Sequence, residues 1–143
     1  MQAVLREPPP KSAWGAGAGA ACLALGGKMP AARKLILELP EGDRPTAASV
    51  VFNAGHPVAD MGDDVAAAPI MNLVLEFSPD NFQALYHAGM SEYALGRPSQ
   101  AQPLLEKFLQ LYHLDDGFTQ AARRALQRIR YGLPAEGGPQ PEH

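Results

Sequence analysis

The 143-residue chain has few of the residues that build covalent or metal-bound frameworks. Its one cysteine, Cys22, excludes an internal disulfide and any multi-cysteine metal site. We expect this lone thiol, in a segment of small residues, to be a small core residue. No stretch approaches the ~18 apolar residues that a membrane span needs. With 12 basic and 15 acidic residues, the chain has no basic excess that would indicate nucleic acid binding and no charge block typical of a tail.

The length fits one domain, and a 46% content of hydrophobic residues is typical of a soluble globular protein. Residues 13–27 weakly resemble a signal peptide because Arg6 and Lys11 precede them. Glycines at 15, 17 and 19 dilute the apolar run, so this interpretation is not favoured. The compartment stays unassigned, with the cytoplasm slightly favoured.

Two antiparallel helices are predicted over residues 79–112, and they organise the rest of the chain. A turn at Gly96-Arg97-Pro98 separates them. Small residues at 88, 89 and 101 would let the two backbones approach closely. The apolar positions at helical spacing are Leu85, Ala88, Gly89 and Tyr93 in the first helix and Ala101, Leu104, Leu105, Phe108 and Leu111 in the second.

The same pattern occurs 34 residues earlier, which makes the chain an internal repeat. Residue types match along the whole unit, including its glycines and its prolines. The matched pairs are Phe52 with Tyr86, Ala54-Gly55 with Ala88-Gly89, Met61-Gly62 with Leu95-Gly96, Ala67 with Ala101, Pro69 with Pro103, Ile70-Met71 with Leu104-Leu105, and Val74 with Phe108. A degenerate third copy over residues 13–39 aligns at offsets of 36 and then 35.

This repeat resembles the tetratricopeptide repeat, a 34-residue helix–turn–helix unit. The resemblance implies an all-α fold, a right-handed α-solenoid of antiparallel helix pairs. It also implies that the first helix of each pair lines a concave groove. Carrying the family's groove positions onto this chain gives a predicted partner-binding set: Phe52, Asn53, His56, Gln83, Tyr86, His87, Met90 and Tyr93.

The repeat pattern divides the chain into a lead, a helical domain and a tail. Residues 1–11 and 132–143 are predicted to be disordered, and 12–131 to form the repeat domain. Within it we expect a degenerate repeat at 12–46, repeats at 47–80 and 81–114, and a capping helix at 115–131.

Two local features refine the helix boundaries. Pro57 would lie inside a helix at about 47–61, where a proline removes a backbone hydrogen bond, so we expect a kink or break near 53–57. Ser99 and Gln102 have the spacing of a capping box at the start of the helix at 99–112.

Catalytic chemistry is not predicted. His56 and Asp60 lie four residues apart, a spacing that can place two metal ligands on one helix face. Pro57 disturbs that turn, and His87 and His113 look isolated. We therefore interpret the segment as an acidic inter-helix turn and assign no catalytic residue, no metal ligand and no cofactor.

The sequence favours a non-enzymatic scaffold that binds a protein or peptide segment in its groove, with no nucleic acid partner. The lysines and arginines with which some family members clamp a partner's terminal carboxylate are absent from the predicted groove positions. Two alternatives stay open. One is a small-ligand or metal-binding enzyme accessory subunit that uses His56 and Asp60. The other is a self-association module that forms a homo-oligomer through the N-terminal repeat.

Overall fold

The computed structural model describes residues 12–136, and over that range the protein is all-helical, with no strand. The predicted disordered lead, 1–11, and residues 137–143 of the predicted tail lie outside the described residues. The helices are α1 (Ala13–Leu25), α2 (Met29–Leu37), α3 (Arg44–Asp60), α4 (Asp64–Phe77), α5 (Phe82–Ala94), α6 (Pro98–Leu111) and α7 (Gly117–Arg130), with a 3₁₀ turn at Glu41–Asp43 before α3. No helix in the described part is long and apolar enough to cross a membrane.

Each helix packs mainly against helices that are near it in the chain. Consecutive helices contact one another from α1 to α7, and α1 also packs along α3, as α5 does on α7. The buried side chains fall into two apolar clusters. The first lies among α1 to α5 and contains Ile36, Val51 and Met71; the second lies among α5 to α7 and contains Leu105 and Phe108.

The four odd-numbered helices end in the same glycine turn. Gly27, Gly62, Gly96 and Gly132 have φ of 80°, 79°, 77° and 66°, a region in which other residues are strained. Each glycine donates its N–H to the carbonyl three residues back, and the next residue donates to the carbonyl five back. This is the Schellman end of a helix, in which free carbonyls of the last turn are satisfied.

Glycine also sets the distance within the helix pairs. A Cβ atom on Gly55 would lie 2.5 Å from Cγ2 of Ile70, and one on Gly89 would lie 2.6 Å from Cδ2 of Leu105. Such distances are too short for a real side chain. The two glycines stand 34 residues apart and have the same role, each letting the first helix of a pair approach the second.

Three local predictions are wrong. The chain does not break near 53–57: α3 is continuous from Arg44 to Asp60, with Pro57 in its last turn. There is no capping box at Ser99, because Pro98 begins α6 and places Ser99 inside the first turn; Arg97 is the N-cap, and its side chain donates to Glu92 and does not cap the helix. Cys22 is exposed on α1 and is not a core residue.

The end of the described chain folds back on α7. Arg124 donates two hydrogen bonds to the Glu136 carboxylate, at 2.7 and 2.5 Å, and Arg128 donates to the carbonyl of Pro134. The pairing with Arg124 lowers the pKa of Glu136. Much of the basic face of α7 is therefore neutralised within the chain.

A candidate site of aromatic rings and histidines

A continuous series of aromatic rings crosses one face of the molecule, from α6 to α3. Neighbouring ring centroids lie 4.9–5.5 Å apart, a spacing typical of favourable aromatic pairs. The series has Tyr86 at its centre, where it contacts the rings of Phe108, Phe118 and His87. In order along the path, the rings are Phe82, Tyr112, Phe108, Tyr86, His87, His56 and Phe52, with Phe118 as a branch on Tyr86.

All of these rings except Phe52 line a cleft of about 260 Å³. Two helices, α3 and α5, contribute residues four apart, which places each such pair on one helix face. The lining residues are His56 and Asp60 from α3, Phe82, Gln83, Tyr86 and His87 from α5, Phe108 from α6, Tyr112 just after α6, and Phe118 from α7.

A helix cap holds the α7 wall of the cleft in place. The Asp116 carboxylate accepts the backbone N–H groups of Phe118 and Thr119, and the Thr119 hydroxyl in turn accepts the N–H of Asp116. The Tyr112 hydroxyl donates to the same carboxylate. This bond and the two backbone donors lower the pKa of Asp116, and the bond to Asp116 raises the pKa of Tyr112. Phe118, in the first turn of α7, is positioned by this cap.

At the other end of the cleft, α3 and α5 bring together two imidazoles and a carboxylate. His56 Nδ1 lies 3.4 Å from Asp60 Oδ2, and the His87 ring meets the His56 ring edge-on at a centroid distance of 4.9 Å. One ligand atom from each of the three residues lies within 4.8 Å of the other two. His87 is thus not isolated, contrary to the sequence prediction.

Burial changes the acid–base behaviour of two cleft residues. The pKa of His87 is lowered, first by burial and then by the neighbouring His56, while Asp60 partly opposes the shift. Burial also raises the pKa of Tyr86, as does the charge of Asp116. At neutral pH both side chains are therefore uncharged.

The residues predicted for the groove divide into two groups. His56, Gln83, Tyr86 and His87 line the cleft. The structure does not place Phe52, Asn53, Met90 and Tyr93 in its lining. Phe52 and Tyr93 are 8% and 6% exposed, so little of either ring is open to a partner: the Phe52 ring contacts the His56 ring, and the Tyr93 hydroxyl accepts the N–H of Glu136.

The sequence prediction also missed part of the cleft. Phe82, Tyr112 and Phe118 were not predicted, and Phe108 was assigned to the core alone. The spacings 82–86 and 108–112 were visible signals, since residues four apart share a helix face. Phe118 aligns with Phe82 at the offset of 36 residues that relates Gly132 to Gly96, a signal that the prediction did not use because 115–131 was interpreted as a capping helix.

Comparison with known proteins found no match: no protein-family model, no curated protein and no solved structure matches the chain.

Proposed function

We propose that this chain is a tetratricopeptide-like helical-repeat protein. The repeated structural roles support the assignment. Glycine turns end α1, α3, α5 and α7 at spacings of 35, 34 and 36 residues, and Gly55 and Gly89 form equivalent close contacts. Packing between helices that are near in sequence is what stacked helix pairs produce.

The proposed function is non-enzymatic: the protein is a scaffold whose aromatic cleft binds an extended segment of a partner protein. The observation that carries this proposal is the cleft itself, where large rings are left partly open to solvent. Phe82 is 39% exposed and Phe118 is 54% exposed. Aromatic residues of this kind are the usual anchors of protein interfaces, because they give a large contact area at a low cost in conformational entropy.

The size and charge of the cleft indicate the chemistry of the partner. A volume of about 260 Å³ suits one or two side chains and lies below the ~300–1,000 Å³ of pockets that enclose drug-sized ligands. Asp60 is the one acidic residue in the described lining, and no lysine or arginine accompanies it. The cleft therefore fits an apolar anchor side chain next to a lysine or arginine, which Asp60 and the ring faces both attract.

A random-peptide selection tests this proposal, followed by affinity measurements on two matched variants. Phe118 and Tyr131 are both exposed aromatic residues at opposite ends of α7, but only Phe118 lines the cleft. We expect the selected peptides to combine an apolar residue with a basic one. They should bind the Phe118→Ala variant at least about tenfold more weakly than the wild type, a loss of ~1.4 kcal/mol, and bind Tyr131→Ala normally.

Either of two results would contradict the proposal. The first is a selection that enriches no sequence, and the second is a set of enriched peptides that bind Phe118→Ala and Tyr131→Ala equally well. Circular dichroism of both variants shows that the fold is retained, so that a loss of affinity reports the cleft.

A further inference from the structure

The fold brings together three side chains of α3 and α5 that could act as metal ligands, a chemistry that the scaffold function does not use. His56 and Asp60 lie one turn apart on α3, and His87 faces them from α5. Each offers an atom that binds metal ions, a ring nitrogen or a carboxylate oxygen. The three atoms lie within 4.8 Å of one another at the wall of the cleft.

The distances can be compared with those of a tetrahedral zinc site. With metal–ligand bonds of about 2.0–2.1 Å, two ligands on one zinc ion are about 3.3 Å apart. The 3.4 Å between His56 Nδ1 and Asp60 Oδ2 matches this value. Because the three ligand atoms lie within 4.8 Å of one another, no pair would need to close by more than about 1.5 Å to complete the triangle. All three side chains have solvent on one side, so small rotations can supply that movement.

We propose that His56, Asp60 and His87 form a binding site for a divalent transition-metal ion of the zinc class. Two imidazoles and one carboxylate suit zinc, and this donor set discriminates against Mg²⁺ and Ca²⁺, which prefer oxygen ligands alone. Three protein ligands leave a fourth position for water or an incoming group. That position opens onto the cleft, because all three residues line it.

The test is a zinc titration of untagged protein that has been stripped of metal with a chelator. Cys22 is replaced by serine throughout, because its exposed thiol offers an unrelated zinc ligand. Equilibrium dialysis with elemental analysis gives the stoichiometry and the Kd. We expect one zinc ion per chain, and at least tenfold weaker binding after His87→Ala or Asp60→Asn. Visible absorption of the Co²⁺ form should show four-coordinate geometry.

His113→Ala is the matched control. His113 is an exposed histidine that is hydrogen-bonded to the carbonyl of Gln110 and does not line the cleft, so its loss should leave zinc affinity unchanged. His56→Gln is a second ligand variant at a half-exposed position, and it provides a readout if His87→Ala does not fold.

The proposal is overturned if the Cys22→Ser protein binds no zinc at a defined stoichiometry, or if the ligand variants bind zinc as tightly as His113→Ala. The titration contains no peptide, so it can fail while the peptide-binding proposal stands, and the reverse also holds.

Discussion

Single glycines decide how closely the paired helices approach. In Gly89→Ala the new methyl group would lie 2.6 Å from Cδ2 and 2.7 Å from Cγ of Leu105, which is itself fully buried. Alanine favours a helix by up to about 1 kcal/mol, but overpacking a core costs about 1–3 kcal/mol. We therefore expect Gly89→Ala to lower the free energy of unfolding, measured by urea denaturation.

Gly117→Ala is the control, because nothing lies within 4 Å of a Cβ atom at that position. It should be neutral or slightly stabilising. A stabilised Gly89→Ala protein would show that α5 and α6 are not in close contact at that position. Gly55→Ala, whose Cβ would meet Ile70, should behave like Gly89→Ala if the two repeats are equivalent.

Individual residues also show what the sequence prediction missed. The self-alignment at 34 residues pairs Asn53 with His87, one helical turn from His56, so the proximity of the two histidines was implicit in the repeat. It was missed because each histidine was considered on its own helix. Tyr93 was assigned both to the apolar positions of its helix and to the groove; it is buried in the C-terminal cluster, and its hydroxyl accepts the N–H of Glu136.

Among the helices, boundaries were predicted best where a glycine turn marks them. The predicted turn at Gly96-Arg97-Pro98 is where α5 ends and α6 begins, and α3, predicted to end at about 61, ends at Asp60 before the Gly62 turn. The error at Ser99 has a simple cause. Proline fits the first position of a helix, and Pro98 therefore begins α6 one residue before the expected start.

The helix α3 contains a proline, Pro57, and continues past it to Asp60. The Asn53 carbonyl would accept an N–H from residue 57 in a regular helix, and proline has none. Since α3 is continuous there, Pro57→Ala restores that donor on an exposed face. We expect the free energy of unfolding to rise by up to about 2 kcal/mol, because the added flexibility of the unfolded chain offsets part of the ~3 kcal/mol proline penalty. Thermal melts would check this, and an unchanged or lower Tm would indicate that α3 is already interrupted in solution.

The cap at the start of α7 makes the folding stability depend on pH in the acid range. Asp116 has a folded-state pKa below its ordinary value, so its carboxylate stabilises the folded protein at all pH values above ~4 and loses this effect as pH falls through the folded pKa. Asp116→Asn cannot titrate. We expect it to lower the Tm at pH 7, with the difference from wild type shrinking below about pH 4.

Melts between pH 3 and 7 would measure that dependence. Asp115→Asn is the control, because Asp115 lies outside the cap and only pairs with Arg123 at 3.7 Å. If the Tm values of the two asparagine variants differ from that of the wild type by the same amount at every pH, the cap is not the cause of the acid sensitivity.

Across the whole molecule, stability should be uneven. Stacked helix pairs contact mainly their neighbours, so stability is roughly a sum of local contributions. The cluster around α1 is built largely from alanine, including Ala16, Ala20 and Ala24, while Leu105 and Phe108 fill the C-terminal cluster. Glycines at 15, 17 and 19 weaken α1 further, by about 1 kcal/mol each.

We therefore expect the N-terminal part to open first. Hydrogen exchange followed by mass spectrometry should find amides at 85–111 the best protected and those at 15–25 the least. Equal protection would mean that close packing, such as that of Gly17 against Val50, offsets the glycine penalties.

The central claim is that a partner segment binds at the aromatic cleft. It is tested most directly by ¹⁵N NMR titration of the wild-type protein with a peptide obtained from the random library. We expect the largest shifts at amides 56–60, 82–87, 108–112 and 117–119, which surround the cleft. Shifts concentrated on α1 and α2, or on the arginine face of α7, would place the binding surface elsewhere and contradict the account.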